Sequence, residues 1–249
     1  MPGTLYLVPN LLGAVPPANV LPARTIEVAR GLTHWVVETP KAARAFIKTL
    51  DPPQPIAALT LLELGTAPTT EHVAALLAPL RAGADVGLLS DAGCPGVADP
   101  GAALVAAAHA AGLRVVPLVG PSAILLALMA SGMNGQGFAF HGYLPVKADE
   151  RAAALKRLES ESRAQGQAQL FIETPYRNEA MLGTIATALQ PGTQVCVAAD
   201  LTLPTETIER RSASEWKGRD HAQFAKRPAL FVLQAGSDKQ IPRRLRSPE

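Results

Sequence analysis

The stretch LLSDAGCPGVADPGAALVAAAHAAG, residues 88–112, begins as an apolar run and ends as an alanine-rich helical pattern. The joint between them, DAGCPGVADPG, is built almost wholly of small residues, proline and acid. Gly93 and Gly96 can take backbone angles that other residues resist, and they let a ligand approach the main chain. Asp91 follows Ser90 at the strand tip, where an exposed acid faces a cleft and has no evident local duty. Asp99-Pro100 reads as a helix N-cap followed by proline at the first helical position, which gives Asp99 to capping and not to catalysis. Cys94 reads as a small turn-filling residue, since neither cysteine has a neighbouring basic motif that would activate it as a nucleophile.

The joint lacks the G-x-G-x-x-G of a dinucleotide fold and the G-K-[ST] of a phosphate-binding loop. A loop of small residues without Lys or Arg does not suit a pyrophosphate. It suits a ligand gripped by backbone N–H and C=O groups, cationic or zwitterionic if an acid stands beside it. G-x-S-x-G is absent.

Outward from this stretch, short β-rich runs alternate with helical patterns. TLYLV (4–8), HWVVE (34–38), PIAALTLLEL (55–64), VGLLS (86–90) and LRVVPLV (113–119) read as strands. Helices are expected near 22–31, 40–50, 70–82 and 99–111. Such alternation means βαβ units and a largely parallel sheet, and VGLLS, apolar throughout, suits a strand covered on both faces. PLVGPSA (117–123) breaks the pattern. Beyond it an apolar helix (123–131) precedes strands at 138–144, 169–173, 194–200 and 229–235, with the clearest helix at 147–164. The expected fold is therefore two α/β domains with a boundary near Gly120: 1–118 with a parallel sheet and 119–236 with a mixed one. A basic tail, 237–249, is read as a solvated terminus.

One local echo stands out. VVETPKAARAF (36–46) and FIETPYRNEAM (171–181) each run from an apolar strand through Glu-Thr-Pro into a helix. Thr can cap such a helix and Pro suits its first turn. Glu38 and Glu173 then both stand at the carboxyl end of a strand, the edge where open α/β sheets bind ligands.

The 249 residues are 48% hydrophobic and 18% charged, enough to bury a core. Net charge is +2, from 23 Lys/Arg and 21 Asp/Glu, which excludes a blanket polycation. The charge is uneven: residues 140–249 hold 16 Lys/Arg and 13 Asp/Glu. Two cysteines form no framework, and the default is a reduced cytoplasmic setting. MPGTLYLVPNLLG reads as no signal peptide, and no apolar run reaches the roughly 20 residues of a membrane helix. The five histidines are scattered, so no metal site is expected.

The quoted residues resemble the tetrapyrrole methylase superfamily, and within it the branch that 2′-O-methylates a cytidine of small-subunit ribosomal RNA. The family motifs S-D-A-G-T-P, S-D-P-G, P-G-P-S-A, F-x-G-[FY]-L-P and E-S-P-H-R are similar to Ser90–Pro95, Ala98–Gly101, Val119–Ala123, Phe140–Pro145 and Glu173–Arg177, in that order. The opening TLYLVPNLLG is similar to the family's first strand and loop. The resemblance implies a homodimer of two-domain chains with S-adenosyl-L-methionine in the inter-domain cleft. It implies cofactor contacts from Pro9, Ala92, Gly93, Cys94, Val97, Ser122 and Ala123, with Phe140 and Glu173 completing the pocket. RNA or a ribosomal subunit is the implied partner. The substrate-side motifs depart more. E-D-T-R is replaced by Glu38-Thr39-Pro40-Lys41, R-E-L-T-K by Ala199-Asp200-Leu201-Thr202-Leu203, and R-G-T by Arg210-Arg211-Ser212.

Methyl transfer from a sulfonium is an in-line displacement in which positioning can supply about 7–11 kcal/mol of the barrier. A hydroxyl acceptor must also lose its proton, an effect of roughly 10²–10⁴-fold. Asp91 and Glu173 are the candidates for that task, Glu173 serving alternatively as ion partner to Arg177 at i+4. Tyr143 and Tyr176 could stack on a base or simply pack, and Arg177 is a further candidate substrate contact. Two other readings stay open: a tetrapyrrole (porphyrin or corrin) C-methyltransferase, and a catalytically silent cofactor-binding module.

Overall fold

The computed structural model describes residues 1–236; the basic tail at 237–249 lies outside the described residues. The chain forms two compact units, Met1–Ala123 and Ile124 onward.

In the first unit, β1 (Thr4–Leu7), α1 (Ala23–Gly31), β2 (His34–Val37), α2 (Pro40–Thr49), β3 (Thr60–Glu63), α3 (Thr70–Leu76), α4 (Ala78–Arg81), β4 (Val86–Leu89), α5 (Ala102–Ala110) and β5 (Arg114–Pro117) follow in turn. The sheet order is β3-β2-β4-β1-β5, and every pairing is parallel. β4 is central and buried at all four residues, as a strand covered on both faces should be. Successive side chains feed opposite cores. Val36 joins Leu5, Leu88 and Leu104 on one face, while Trp35 and Val37 join Phe46 and Ile47 on the other. Gly87 is glycine because a Cβ there would lie 2.7 Å from the Trp35 ring.

Three expectations need correction. Of 55–64, only Thr60–Glu63 is strand, because Pro55 opens a 3-10 turn, Ile56–Ala58, closed by Ala58 N–H to Pro55 O. The helix expected over 70–82 is two helices, α3 and α4, since Pro79 has no N–H to carry the ladder across the junction. The helix expected from Asp99 starts at Ala102. Its cap residue is Gly101 at φ 135°, and Ala98 takes φ 64°, so the loop turns on past Asp99-Pro100. Asp99 is therefore not an N-cap.

α6 (Ala123–Ser131) leads into the second unit. There β6 (Phe138–Tyr143), α7 (Ala148–Gln165), β7 (Ala168–Glu173), α8 (Asn178–Ala188), β8 (Gln194–Ala199), β9 (Thr207–Ser212), α9 (Ala213–Lys217) and β10 (Ala229–Gln234) follow. The order is β6-β7-β10-β8-β9, with β6 and β7 parallel and the other pairs antiparallel. The sheet is mixed. β9, TIERRS, escapes sequence reading because it is a polar edge strand whose Glu209 pairs with Arg211 of the same strand and with Arg219 beyond α9. α7 ends at Gly166 in the left-handed conformation. The core gathers Phe171, Phe231, Trp216 and Phe224 with aliphatics from α7 and α8.

Candidate functional site

Because β4, β1 and β5 are neighbours, their carboxyl ends release three loops side by side. Asn10 ties the first loop to the second. Its N–H donates to Gly93 O at 2.8 Å, and its Nδ2 donates to Ser90 O at 2.9 Å and Asp91 O at 3.0 Å. The third loop meets both. The Cys94 thiol donates to Pro121 O at 3.5 Å. A Cβ on Gly120 would lie 2.4 Å from Pro9 Cβ, so that position must be glycine for the loops to touch. Gly93 takes φ 67°, and a Cβ there would meet Leu12 at 3.3 Å.

The sequence-derived candidates thus fall into two sets. Pro9, Gly93 and Cys94 are held together in the first unit by these contacts, with Ser122 and Ala123 directly after Pro121. Ala92 and Val97 are exposed on the same loop. Phe140, Tyr143 and Glu173 lie on the adjacent strands β6 and β7 of the second unit, and Tyr176 and Arg177 in the turn that follows β7.

A cluster of acids borders the first set. Glu38, just past β2, accepts the Asp91 N–H at 3.1 Å, and the Thr39 hydroxyl donates to Asp91 Oδ2 at 2.7 Å. Thr39 therefore spends its side chain on Asp91 and makes no cap bond to α2. Asp99 is half-buried in the same loop. Burial foremost, then Glu38 and Asp91, push its carboxyl up to about 6, with the Ser90 hydroxyl opposing. Sequence reading missed Asn10 and misassigned Asp99. An Asn after Pro in the first loop was the only local signal for the former. Burial and Asp99 also raise the Cys94 thiol, which agrees with a filler and not an activated nucleophile. Among the described residues no three His, Cys, Asp or Glu gather as a metal site.

In the second unit, Glu173 is buried at the end of β7. Its Oε1 accepts the Thr174 N–H at 2.6 Å and Arg177 Nε at 2.8 Å, with Arg177 Nη2 on the same oxygen. Its Oε2 is buried with no partner. The ion-pair reading of Glu173 is thus realised in the fold. Tyr143 owes its outward position to a bulge. Phe140 pairs with Leu170 but Tyr143 with Ile172, and Gly142 between them sits at φ 64°.

Such a parallel sheet, with three joined loops at its carboxyl edge and a mixed second sheet, defines a class. The family model "Tetrapyrrole (Corrin/Porphyrin) Methylases" matches residues 26–217, and the chain belongs to that family. It is similar to "Ribosomal RNA small subunit methyltransferase I" of Escherichia coli O157:H7, 40% identical over 56% of this chain and 48% of that protein. It is also similar to the protein of the same name from Micromonospora olivasterospora, 35% identical over 94% of this chain and 71% of that protein. In the first match the chain spans about half the length of its relative. The solved methyltransferase CobJ shares the fold, with TM-score 0.60 and 21% identity over 94% of this chain and 93% of that one.

Proposed function

We propose that the chain is an S-adenosyl-L-methionine-dependent methyltransferase that methylates the 2′-hydroxyl of a ribose in small-subunit ribosomal RNA. The observation that carries the reading is the convergence of the 9–13, 91–97 and 119–123 loops, the first two fastened by Asn10 and the third by Cys94 and the close approach of Gly120 to Pro9. Glu38, Asp91 and Asp99 border the second of these loops. These residues fit the cofactor. Ala92, Gly93, Cys94, Val97, Ser122 and Ala123 offer backbone donors and acceptors, and the acids offer a negative field to a sulfonium. Bound there, the cofactor supplies an already activated methyl group. Phe140 and Glu173 are the second unit's proposed contributions.

What remains for the chain is alignment and proton handling. The tripod of loops fixes the donor end, which favours an in-line approach. Asp91, oriented by the Thr39 hydroxyl, is an acid free at the surface to accept the hydroxyl proton. The named relatives favour an RNA acceptor, with Tyr143, Tyr176 and Arg177 on the substrate side. Such work belongs in the cytoplasm, and a homodimer follows the family resemblance. Leu125 and Met129, exposed four residues apart on the apolar α6, would give two copies a surface to bury.

Titration calorimetry with S-adenosyl-L-methionine tests the cofactor site. Micromolar binding is expected for the wild type, with loss in Gly93→Trp and also in Ala92→Trp, whose exposed position carries no left-handed strain. Methyl transfer to small ribosomal subunits from cells lacking the protein then tests the acceptor. Absence of cofactor binding by the wild type sinks the reading.

A further inference from the structure

The two most exposed aromatics of the chain stand at one place, while the less exposed Phe138 opens β6 at its other end. Trp35, Trp216, Phe171, Phe224 and Phe231 are fully buried, but Tyr143 is 61% exposed and Tyr176 is 83% exposed. β6 and β7 run parallel, so their carboxyl ends share one edge, and Tyr143 pairs there with Ile172. Tyr176 lies in the short turn Pro175–Arg177 that follows β7. Both rings therefore stand at the same edge of the second sheet.

Two cations flank them. Arg177 is anchored from below by Glu173, so its guanidinium is held in place at little further entropic cost. Lys226 comes from the far end of the chain. Its N–H donates to Pro175 O at 2.9 Å, stitching the 225–228 segment to the Tyr176 turn. Its backbone is left-handed, at φ 57°, and its side chain is exposed. The neighbouring Arg227 is instead drawn inward, to Asp200 at 2.8 Å and to Gln223 O and Thr207. Within one basic dipeptide, Arg227 locks the fold and Lys226 faces solvent, with no carboxylate among the described residues paired to it. Glu179, in the first turn of α8, is the exposed acid nearest in sequence to the turn.

We propose that Tyr143, Tyr176, Arg177 and Lys226 form a platform for single-stranded RNA, with the tyrosines stacking on unpaired bases and Arg177 and Lys226 holding the phosphates between them. This deepens the methyltransferase reading and rests on it: the acceptor nucleotide is presented from an unpaired stretch. Stacking accepts any base because each has a π-face, whereas in a duplex those faces are already covered by the neighbouring base pairs. Glu173 acts as a positioning residue through Arg177.

The test is fluorescence anisotropy with the full chain, a labelled single-stranded RNA of about 12 nucleotides and the same strand annealed to its complement. The single strand is expected to bind about 10-fold tighter than the duplex. Tyr176→Ala and Tyr143→Ala are expected to lose about 10-fold each on the single strand, with unfolding midpoints unchanged. Lys226→Gln should weaken all sequences alike and shallow the log–log salt slope by about 0.7. Equal binding of duplex and single strand, or tyrosine and lysine variants that bind as the wild type, would overturn the platform. Cofactor titration on the same samples separates the two ideas. Intact cofactor binding with indifferent variants removes only the platform, while absent cofactor binding removes the methyltransferase reading whatever the RNA does.

Discussion

Glu38-Thr39-Pro40 and Glu173-Thr174-Pro175 are the same tripeptide at the same kind of place, the carboxyl end of a strand entering a helical turn. Their fates differ. Glu38 reaches sideways to the Asp91 N–H and faces two other acids. Glu173 turns forward onto Arg177 and is sealed from solvent, its side chain 0% exposed. The deciding position is four residues on: Arg177 follows Glu173, but Ala42 follows Glu38. With a cation at i+4 the carboxylate is neutralised locally. Without one it answers to whatever the neighbouring strand brings, here a loop carrying Asp91 and Asp99. A shared start sequence sets the turn, and its partner sets the chemistry.

The sharpest way to break this comparison is to strip the second tripeptide of its cation. Arg177→Ala leaves a buried carboxylate unpaired and is expected to cost about 3 kcal/mol or more in urea unfolding. Replacing both Glu173 and Arg177 with leucine should recover most of that loss. A single Arg177→Ala variant as stable as the wild type would mean the pair contributes nothing.

A smaller effect is expected in the first tripeptide's surroundings. The folded carboxyl of Asp99 is raised from 3.8 to about 6. Between those values the folded state keeps a proton that the unfolded chain has lost. Stability should therefore fall as pH rises from about 4 to 6, and the cost persists above. Asp99→Asn should flatten that slope and gain on the order of 1 kcal/mol at pH 8, the figure allowing for solvent screening at a half-exposed group. Urea titrations at pH 4, 6 and 8 measure this, and an unchanged slope would place the proton elsewhere.

The smallest change makes the two tripeptides alike. Ala42→Arg supplies Glu38 with a cation at i+4 and should add no more than about 0.5 kcal/mol, because the new pair is solvated. A gain of several kcal/mol would show that local spacing alone, and not burial, makes the Glu173 pair.

Much of the architecture was open to reading because it follows from local pattern. β4 is apolar on both faces, as its central place requires, and α6 occupies 123–131 as its run of apolar residues implies. The polar edge strand β9 was hidden, since its alternation serves ion pairs and not a core. The candidate loops were visible through their glycines and prolines. The contacts joining them were not, because Asn10 and Ser90 lie eighty residues apart and meet only when β1 and β4 pair.

By itself, then, the sequence determined most of the elements, the family motifs and the glycine positions, all governed by short-range sterics and periodicity. Tertiary structure alone decided that Asp99 is an acid among acids instead of a helix cap, that Thr39 serves Asp91, and that Lys226 stands beside Tyr176. Charge and hydrogen bonding act through space, and strand order, not chain order, sets who is near whom.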